Sequence, residues 1–160
     1  MSKPRLTLVA VLALFGAAQL VPVATENPPV DGEIVVPDEV GEVLRRCCYD
    51  CHSHETRWPW YARVAPVSWR VAADVAAARQ ALNFSRWRSM GERSRRRALK
   101  SIWSELAGGG MPLGRYVFVH GDARPTAAEL EVLHGWAMGS AQDDLGGPLA
   151  DETSGPSDGR

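Results

Sequence analysis

Apolar residues recur at helical spacing in several separate stretches of the chain. Val40, Val43 and Leu44 form the first such stripe, and Asp38 is placed to cap the helix that they predict. A second stripe predicts a helix over Val67–Leu82. Its expected inward face consists of Val67, Val71, Val75, Ala78 and Leu82.

Two later helices are each predicted to begin with a capping box, a Ser or Thr followed three residues later by Glu. Ser89 and Glu92 form the first box, and residues 108–110, all glycine, end that helix. Its apolar stripe is Ala98, Leu99, Ile102, Trp103 and Leu106. Thr126 and Glu129 open the last helix, which turns Leu130, Leu133, Trp136 and Ala137 inward. These patterns predict an all-α fold.

The segments between the stripes divide the chain into regions. Residues 25–37 contain Pro28, Pro29 and Pro37 and predict an extended linker that wraps or spaces the domain. Residues 38–140 form the predicted domain. Residues 141–160 are rich in Gly, Pro, Ser and Asp and predict a disordered acidic tail.

The N-terminal residues 1–24 have the pattern of an export signal or a membrane anchor. Lys3 and Arg5 precede an uncharged stretch that runs from Leu6 to Val23, and residues 16–18 offer small side chains for cleavage. The stretch approaches the length of a membrane span, so both a cleaved signal and a retained anchor stay open. Either alternative predicts that the remaining chain lies on the periplasmic side of the cytoplasmic membrane.

Composition narrows the class of protein. A chain of 160 residues suits one domain, and a net charge of −1 gives no nucleic-acid signature. Its three cysteines are too few and too close together for a disulfide framework, so their spacing indicates site chemistry.

That spacing is Cys48-Tyr49-Asp50-Cys51-His52, the pattern of covalent haem attachment. Thiols three residues apart lie on one side of a helical turn, where each can add to one haem vinyl group. The adjacent imidazole of His52 can then serve as the proximal iron ligand. The sequence therefore predicts one haem c, bound through Cys48 and Cys51.

The same residues also suit other kinds of site. The Cys-x-x-Cys pair alone suits a redox disulfide, but that use gives His52 no role. A zinc site could add His52 and His54, but a second cysteine pair is missing. Cys47 also precedes Cys51 at a wider spacing; we expect it to be a spare buried thiol. We expect His54 to face solvent or the propionate side.

The second axial ligand decides between electron transfer and an open catalytic site. Met111 is the preferred candidate, because it lies in a Gly-rich loop with Pro112 that can bring a thioether to the ring. A Met/His pair is typical of electron-transfer cytochromes. His120 and His134 are the rival candidates.

A group of motifs resembles the bacterial haem-binding domain family related to cytochrome c. They are Cys48–Ser53, Glu55-Thr56, Trp58–Tyr61, Ala65–Trp69, Leu82–Ser85, Asn27–Val30 and Met111-Pro112. The resemblance covers about residues 27–136 and implies a small cytochrome c-like helical fold, one c-type haem and periplasmic or membrane-associated placement. Cys47 departs from the family pattern.

The expected function is that of a one-electron carrier with His52 and Met111 as ligands. No acid–base pair or nucleophile stands out, so the sequence assigns no enzymatic reaction. A haem sensor or small peroxidase with an open distal position is the alternative, and a zinc or disulfide interaction domain is a third. A redox partner protein is expected, without an indication of its identity.

Overall fold

The computed structural model describes residues 3–143, and only the backbone of residues 142 and 143. Between these limits the chain is helical and contains no β-strand. The helices are α1 (Lys3–Ala18), α2 (Asp38–Cys47), α3 (Tyr49–His52), α4 (Val67–Ala81), α5 (Glu92–Ala107), α6 (Gly114–Val119) and α7 (Ala127–Asp143). Three 3-10 turns, Trp60–Arg63, Phe84–Ser89 and Gly121–Ala123, connect them. The predicted all-α fold is confirmed.

The hydrophobic core lies between α2, α5, α7 and the 3-10 turn Phe84–Ser89. Helices α5 and α7 form the most extensive pair, and α2 packs against α7. The largest fully buried side chains include Phe84, Leu44 and Leu133. Apolar burial of this kind is the main force that holds the helices together.

The last helix begins as its capping box predicts. The Thr126 amide donates to a Glu129 carboxylate oxygen at 2.8 Å, and the Glu129 amide donates to the Thr126 hydroxyl at 3.3 Å. Glu129 also pairs with Arg46 at the end of α2. Helix α7 continues to Asp143, three residues beyond the predicted end of the domain at residue 140, and the domain boundary stays a prediction. Most of the predicted tail lies outside the described residues.

Two other helix caps were predicted wrongly. Helix α5 starts after Gly91 without a side-chain cap, because the Ser89 hydroxyl donates to the Arg86 carbonyl at 2.7 Å and closes the preceding 3-10 turn. Asp38 is the first residue of α2, not its cap. Pro37 stands at the cap position, and its carbonyl accepts from the Gly41 amide at 2.9 Å.

Residues 26–37, called the strap below, wrap the domain as an extended segment. The Asp31 and Ile34 amides donate to the carbonyls of Ser85 and Phe84 at 2.9 and 3.0 Å. Gly32 has a φ of 86°, and a Cβ added there would lie 2.8 Å from the Cβ of Arg88. The strap therefore requires glycine at this position.

Helix α1 exposes its apolar side chains, and Gln19, just beyond its end, meets the domain at Ala65. The Gln19 side chain accepts from the Ala65 amide at 2.9 Å and donates to the Ala65 carbonyl at 3.3 Å. Among the helices of residues 3–143, none has the length and apolar character needed to cross a membrane. Whether residues 1–24 act as a signal or an anchor stays a prediction.

Candidate functional site

A cavity of about 560 Å³ opens between α3, α4, α5 and the segment that leads into α6. Cys48, Cys51, His52 and Met111 all line it, although Met111 lies 59 positions beyond His52 in the chain. Apolar side chains make most of the remaining wall: Ala77, Ala78, Ala81, Leu82, Phe84, Ile102, Leu106, Pro112 and Leu113. The fold thus brings the predicted haem-binding residues to one concave, mainly apolar site.

The two thiols are placed by a break in the helix. Helix α2 ends at Cys47, and Cys48 has a non-helical backbone before the short helix α3. The amides of Cys51 and His52 both donate to the Cys48 carbonyl, at 3.1 and 2.9 Å. This tight turn presents both thiols and the imidazole to the same cavity.

Burial keeps both thiols protonated. It raises the pKa of Cys48 to about 12 and that of Cys51 to about 11. Disulfide oxidoreductases need the opposite, a cysteine whose pKa is lowered so that a thiolate can attack. These environments do not suit the redox-disulfide alternative.

The imidazole of His52 is held in one tautomer. Its Nδ1 atom lies 3.1 Å from the carbonyl oxygens of both Ala78 and Leu82 at the end of α4. Because carbonyl oxygens only accept hydrogen bonds, Nδ1 carries the proton and Nε2 keeps its lone pair. Burial lowers the pKa of His52, so the ring stays neutral at pH 7. A neutral imidazole with a fixed ring is what a metal-ligating histidine requires.

The segment that carries Met111 is anchored on both sides. At the end of α5, the Met111 amide donates to the Glu105 carbonyl at 3.2 Å. In α6, Arg115 forms an ion pair of 2.8 Å with Asp74 of α4. Tyr116 donates to the Asp50 carboxylate at 2.7 Å. These contacts hold Met111 at the cavity between α5 and α6.

Asp50, between the two attachment cysteines, is the centre of a small polar cluster. Besides Tyr116, its carboxylate accepts from the Arg57 amide at 3.0 Å and from the Arg57 guanidinium at 3.1 Å. Burial opposes ionisation, but these hydrogen bonds outweigh it and lower the pKa of Asp50. The ionised carboxylate ties the attachment motif to α6.

The remaining candidates lie elsewhere or play structural parts. Cys47 is buried, as expected for a spare thiol, yet it also lines the cavity. His54 is partly exposed and does not line the cavity: its Nδ1 contacts the Pro29 carbonyl at 2.7 Å and its Nε2 contacts Asn83 at 2.8 Å. His120 contacts the Tyr61 hydroxyl at 2.7 Å, and His134 packs on Trp103 with ring centroids 4.3 Å apart. Neither rival histidine lines this cavity.

Sequence reasoning missed the role of α4. Only Val75 of its predicted inward face is buried, because the stripe borders open space instead of core. Ala78 and Leu82 line the cavity described above, whereas Val67, Val71 and Val75 line a second one. The two carbonyls that orient His52 were also missed, since no local pattern marks a backbone acceptor.

Within the described residues, no group of three or more His, Cys, Asp or Glu side chains is arranged to hold a metal ion. His54, the further zinc ligand considered for the motif, has both ring nitrogens within hydrogen-bond distance of the strap and of Asn83. The donor set that the cavity offers is instead one imidazole nitrogen and one thioether beside the thiols of Cys47, Cys48 and Cys51. Those groups fit a haem, and the cavity volume lies in the range of about 300–1,000 Å³ that is usual for cofactor sites.

The fold and the cavity define a small helical cofactor-binding domain. The model of the haem-binding domain family matches residues 13–139, most of the chain, and the protein belongs to that family. The match confirms the resemblance based on the sequence motifs and makes this a haem-binding protein. No curated protein and no solved structure matches the chain.

Proposed function

We propose that the protein is a c-type cytochrome that carries one haem, bound through thioether bonds to Cys48 and Cys51. The observation that carries this proposal is the shared cavity: both thiols and the His52 imidazole face one apolar space in a haem-binding domain. The spacing of the two cysteines matches that of the two vinyl groups, which supports covalent attachment.

We propose His52 and Met111 as the axial ligands. The fixed tautomer of His52 leaves Nε2 free to bind iron, and the carbonyls of Ala78 and Leu82 hold the ring in place. Met111 supplies a soft thioether from a half-buried position on the cavity wall. A Met/His pair raises the reduction potential of the iron.

The proposed activity is one-electron transfer on the periplasmic side of the cytoplasmic membrane, with an unidentified redox protein as partner. When bound, haem supplies an iron that changes reversibly between its ferrous and ferric states. The chain's own contribution is an apolar wall that excludes water and two ligands that stay in place. The basic and apolar N-terminal pattern supports export.

The ligand pair is tested with a Met111→Ala variant of the haem-loaded protein. We expect the natural chain to bind carbon monoxide slowly, and the variant to bind it rapidly and to have a lower reduction potential. Met90→Ala is the matched control, because Met90 packs against the core and does not line the cavity. Unchanged spectra and potential in Met111→Ala would exclude Met111 as a ligand. Rapid carbon monoxide binding by the natural chain would favour an open-site sensor or peroxidase.

A further inference from the structure

A second cavity, of about 410 Å³, lies beside the first and is not used by the proposed haem site. Its apolar lining includes the rings of Trp60, Tyr61 and Tyr116 and the side chains of Val67 and Val71. Trp60 is 78% exposed, which is unusual for so large an apolar side chain. A concave site with aromatic walls and few polar groups is the usual form of a small-molecule site.

The two cavities share one wall. Cys51 and Tyr116 line both, as do Asp74, Leu113 and Arg115. A molecule in the second cavity would therefore lie against the residue to which we assign one of the haem thioether bonds. The position suits a redox-active ligand that exchanges electrons with the haem.

A polar pair stands at the edge of this apolar lining. The Tyr61 hydroxyl lies 2.7 Å from Nε2 of His120, and the ring of Tyr116 stacks on His120 with centroids 4.4 Å apart. If Tyr61 donates to Nε2, its oxygen can accept a hydrogen bond from a ligand hydroxyl. If Nε2 carries the proton and donates, the Tyr61 hydroxyl can donate to a ligand carbonyl. The pair can serve both the hydroxyl and the carbonyl form of one ligand.

The charged side chains on the lining are held in ion pairs. Arg70 and Arg115 share Asp74, at 3.2 and 2.8 Å. Arg57 pairs with Asp50 at 3.1 Å. The three guanidinium groups and two carboxylates leave a net charge of +1, and an anion would have to compete with these carboxylates. Because most of the other lining side chains are apolar, an uncharged ligand fits the cavity better.

The cavity is also close to the apolar N-terminal helix. Gln19, just beyond α1, makes two side-chain hydrogen bonds to Ala65, two positions before the cavity residue Val67, and a third to the Phe15 carbonyl of α1. Val67 is 47% exposed, and Trp69, two positions further along α4, is 41% exposed. Val67 therefore places an exposed apolar side chain at the cavity, where a lipid-soluble molecule can enter.

We infer that the second cavity binds a quinone or quinol, an uncharged planar ring with oxygen atoms at its edge. The aromatic walls take the ring, and Tyr61 contacts one ring oxygen in either form. The inference rests on the proposed function, because haem on Cys51 is what makes a redox-active ring useful at the shared wall.

The inference is tested by equilibrium dialysis of the haem-loaded full chain at one fixed detergent concentration. The probe is a naphthoquinone with both free ring carbons methylated, so that thiols cannot add to it. We expect Val71→Phe, which fills the cavity, to weaken binding about ten-fold or more. Tyr61→Phe keeps the ring but removes the hydroxyl, and we expect binding about five-fold weaker. Val35→Phe is the control, since Val35 is 76% exposed and lines neither cavity.

Three results would overturn the inference. The first two are unchanged affinity for the naphthoquinone in a folded Val71→Phe protein and unchanged affinity in Tyr61→Phe. The third is that naphthoate, an anionic comparison probe with the same double ring, binds at least as tightly as the naphthoquinone. If Val71→Phe does not fold, Tyr61→Phe decides alone. A haem stain of the same samples separates the two proposals: covalent haem without quinone binding contradicts this inference, whereas missing covalent haem contradicts the proposed function.

Discussion

The Nδ1 atom of His52 lies 3.1 Å from the carbonyl oxygen of Leu82, 30 positions further along the chain. Leu82 follows the last residue of α4, so the end of that helix fixes the ring of the histidine beside the cysteine pair. The proton on Nδ1 faces backbone oxygen, and the lone pair on Nε2 is left for a ligand bond. The orientation of the proposed iron ligand is thus a property of the whole fold.

The strap is predicted to depend on Gly32. Gly32→Ala places a Cβ at a φ of 86° and within 2.8 Å of the Cβ of Arg88, so we expect it to destabilise the fold by more than about 1 kcal/mol. Gly41→Ala is the matched control in α2. The added Cβ would meet only Val36, at 3.5 Å, and we expect a gain of about 0.5–1 kcal/mol. Chemical denaturation measures the free energy of unfolding of both variants. Equal stability of the two variants would show that the strap adopts another path.

The contact between Tyr116 and Asp50 is predicted to stabilise the cavity wall. Tyr116→Phe removes a hydrogen bond of 2.7 Å to an ionised carboxylate, so we expect a loss of about 1.5–3 kcal/mol. A double-mutant cycle with Asp50→Ala, which removes the acceptor, isolates this contact from the bonds that Arg57 makes. Coupling near zero in that cycle would mean that the two side chains do not interact in solution.

Glu129 is predicted to give the fold part of its acid sensitivity. The hydrogen bond from the Thr126 amide, followed by that from Arg46, holds the pKa of Glu129 below its usual value of 4.5. The unfolded chain therefore takes up a proton at higher pH than the folded chain. The stabilisation is complete above about pH 4.5 and is lost as the pH falls through the lowered pKa.

Glu129→Gln should remove this acid-sensitive contribution and cost about 1 kcal/mol at neutral pH, because it replaces the charge-assisted hydrogen bond from the Thr126 amide by a neutral one and removes the ion pair with Arg46. Glu131→Gln, an exposed position of the same helix, is the control. The two variants and the natural chain are compared by their free energies of unfolding, measured across the acid pH range. Parallel pH curves for Glu129→Gln and the natural chain would contradict the assignment.

Cys47 is predicted to be dispensable for attachment. It is buried beside the cavity, but Cys48 and Cys51 have the spacing that the vinyl groups need. We expect Cys47→Ala to keep both thioether bonds and to lose about 1 kcal/mol of stability through a small packing defect. Mass spectrometry of haem-bearing peptides identifies the linked cysteines. A haem peptide with a single thioether bond in this variant would show that Cys47 takes part.

Motifs of a few neighbouring residues predicted the features that depend on neighbouring residues alone. The spacing of Cys48, Cys51 and His52 predicted residues that line one cavity, and the apolar stripes predicted α2, α5 and α7. The capping box at Thr126 was confirmed, but the same pattern at Ser89 failed because its hydroxyl closes a 3-10 turn. The sequence pattern is the same whether the hydroxyl accepts from an amide of the following helix, as at Thr126, or donates to a preceding carbonyl, as at Ser89.

What the sequence did not reveal depends on contacts between distant residues. The stripe of α4 predicted an ordinary buried face, yet its residues divide between two cavities. The pairing of Tyr61 with His120 joins residues 59 positions apart, and neither residue has a local pattern that indicates the other. Such contacts follow from the packing of several helices together.

The covalent haem is tested most directly by staining denatured protein for haem after expression with the cytochrome maturation machinery. We expect the natural chain to keep its haem through denaturation, each of Cys48→Ala and Cys51→Ala to keep it through one remaining bond, and the double variant to lose it. Natural protein that releases all of its haem on denaturation would contradict the account.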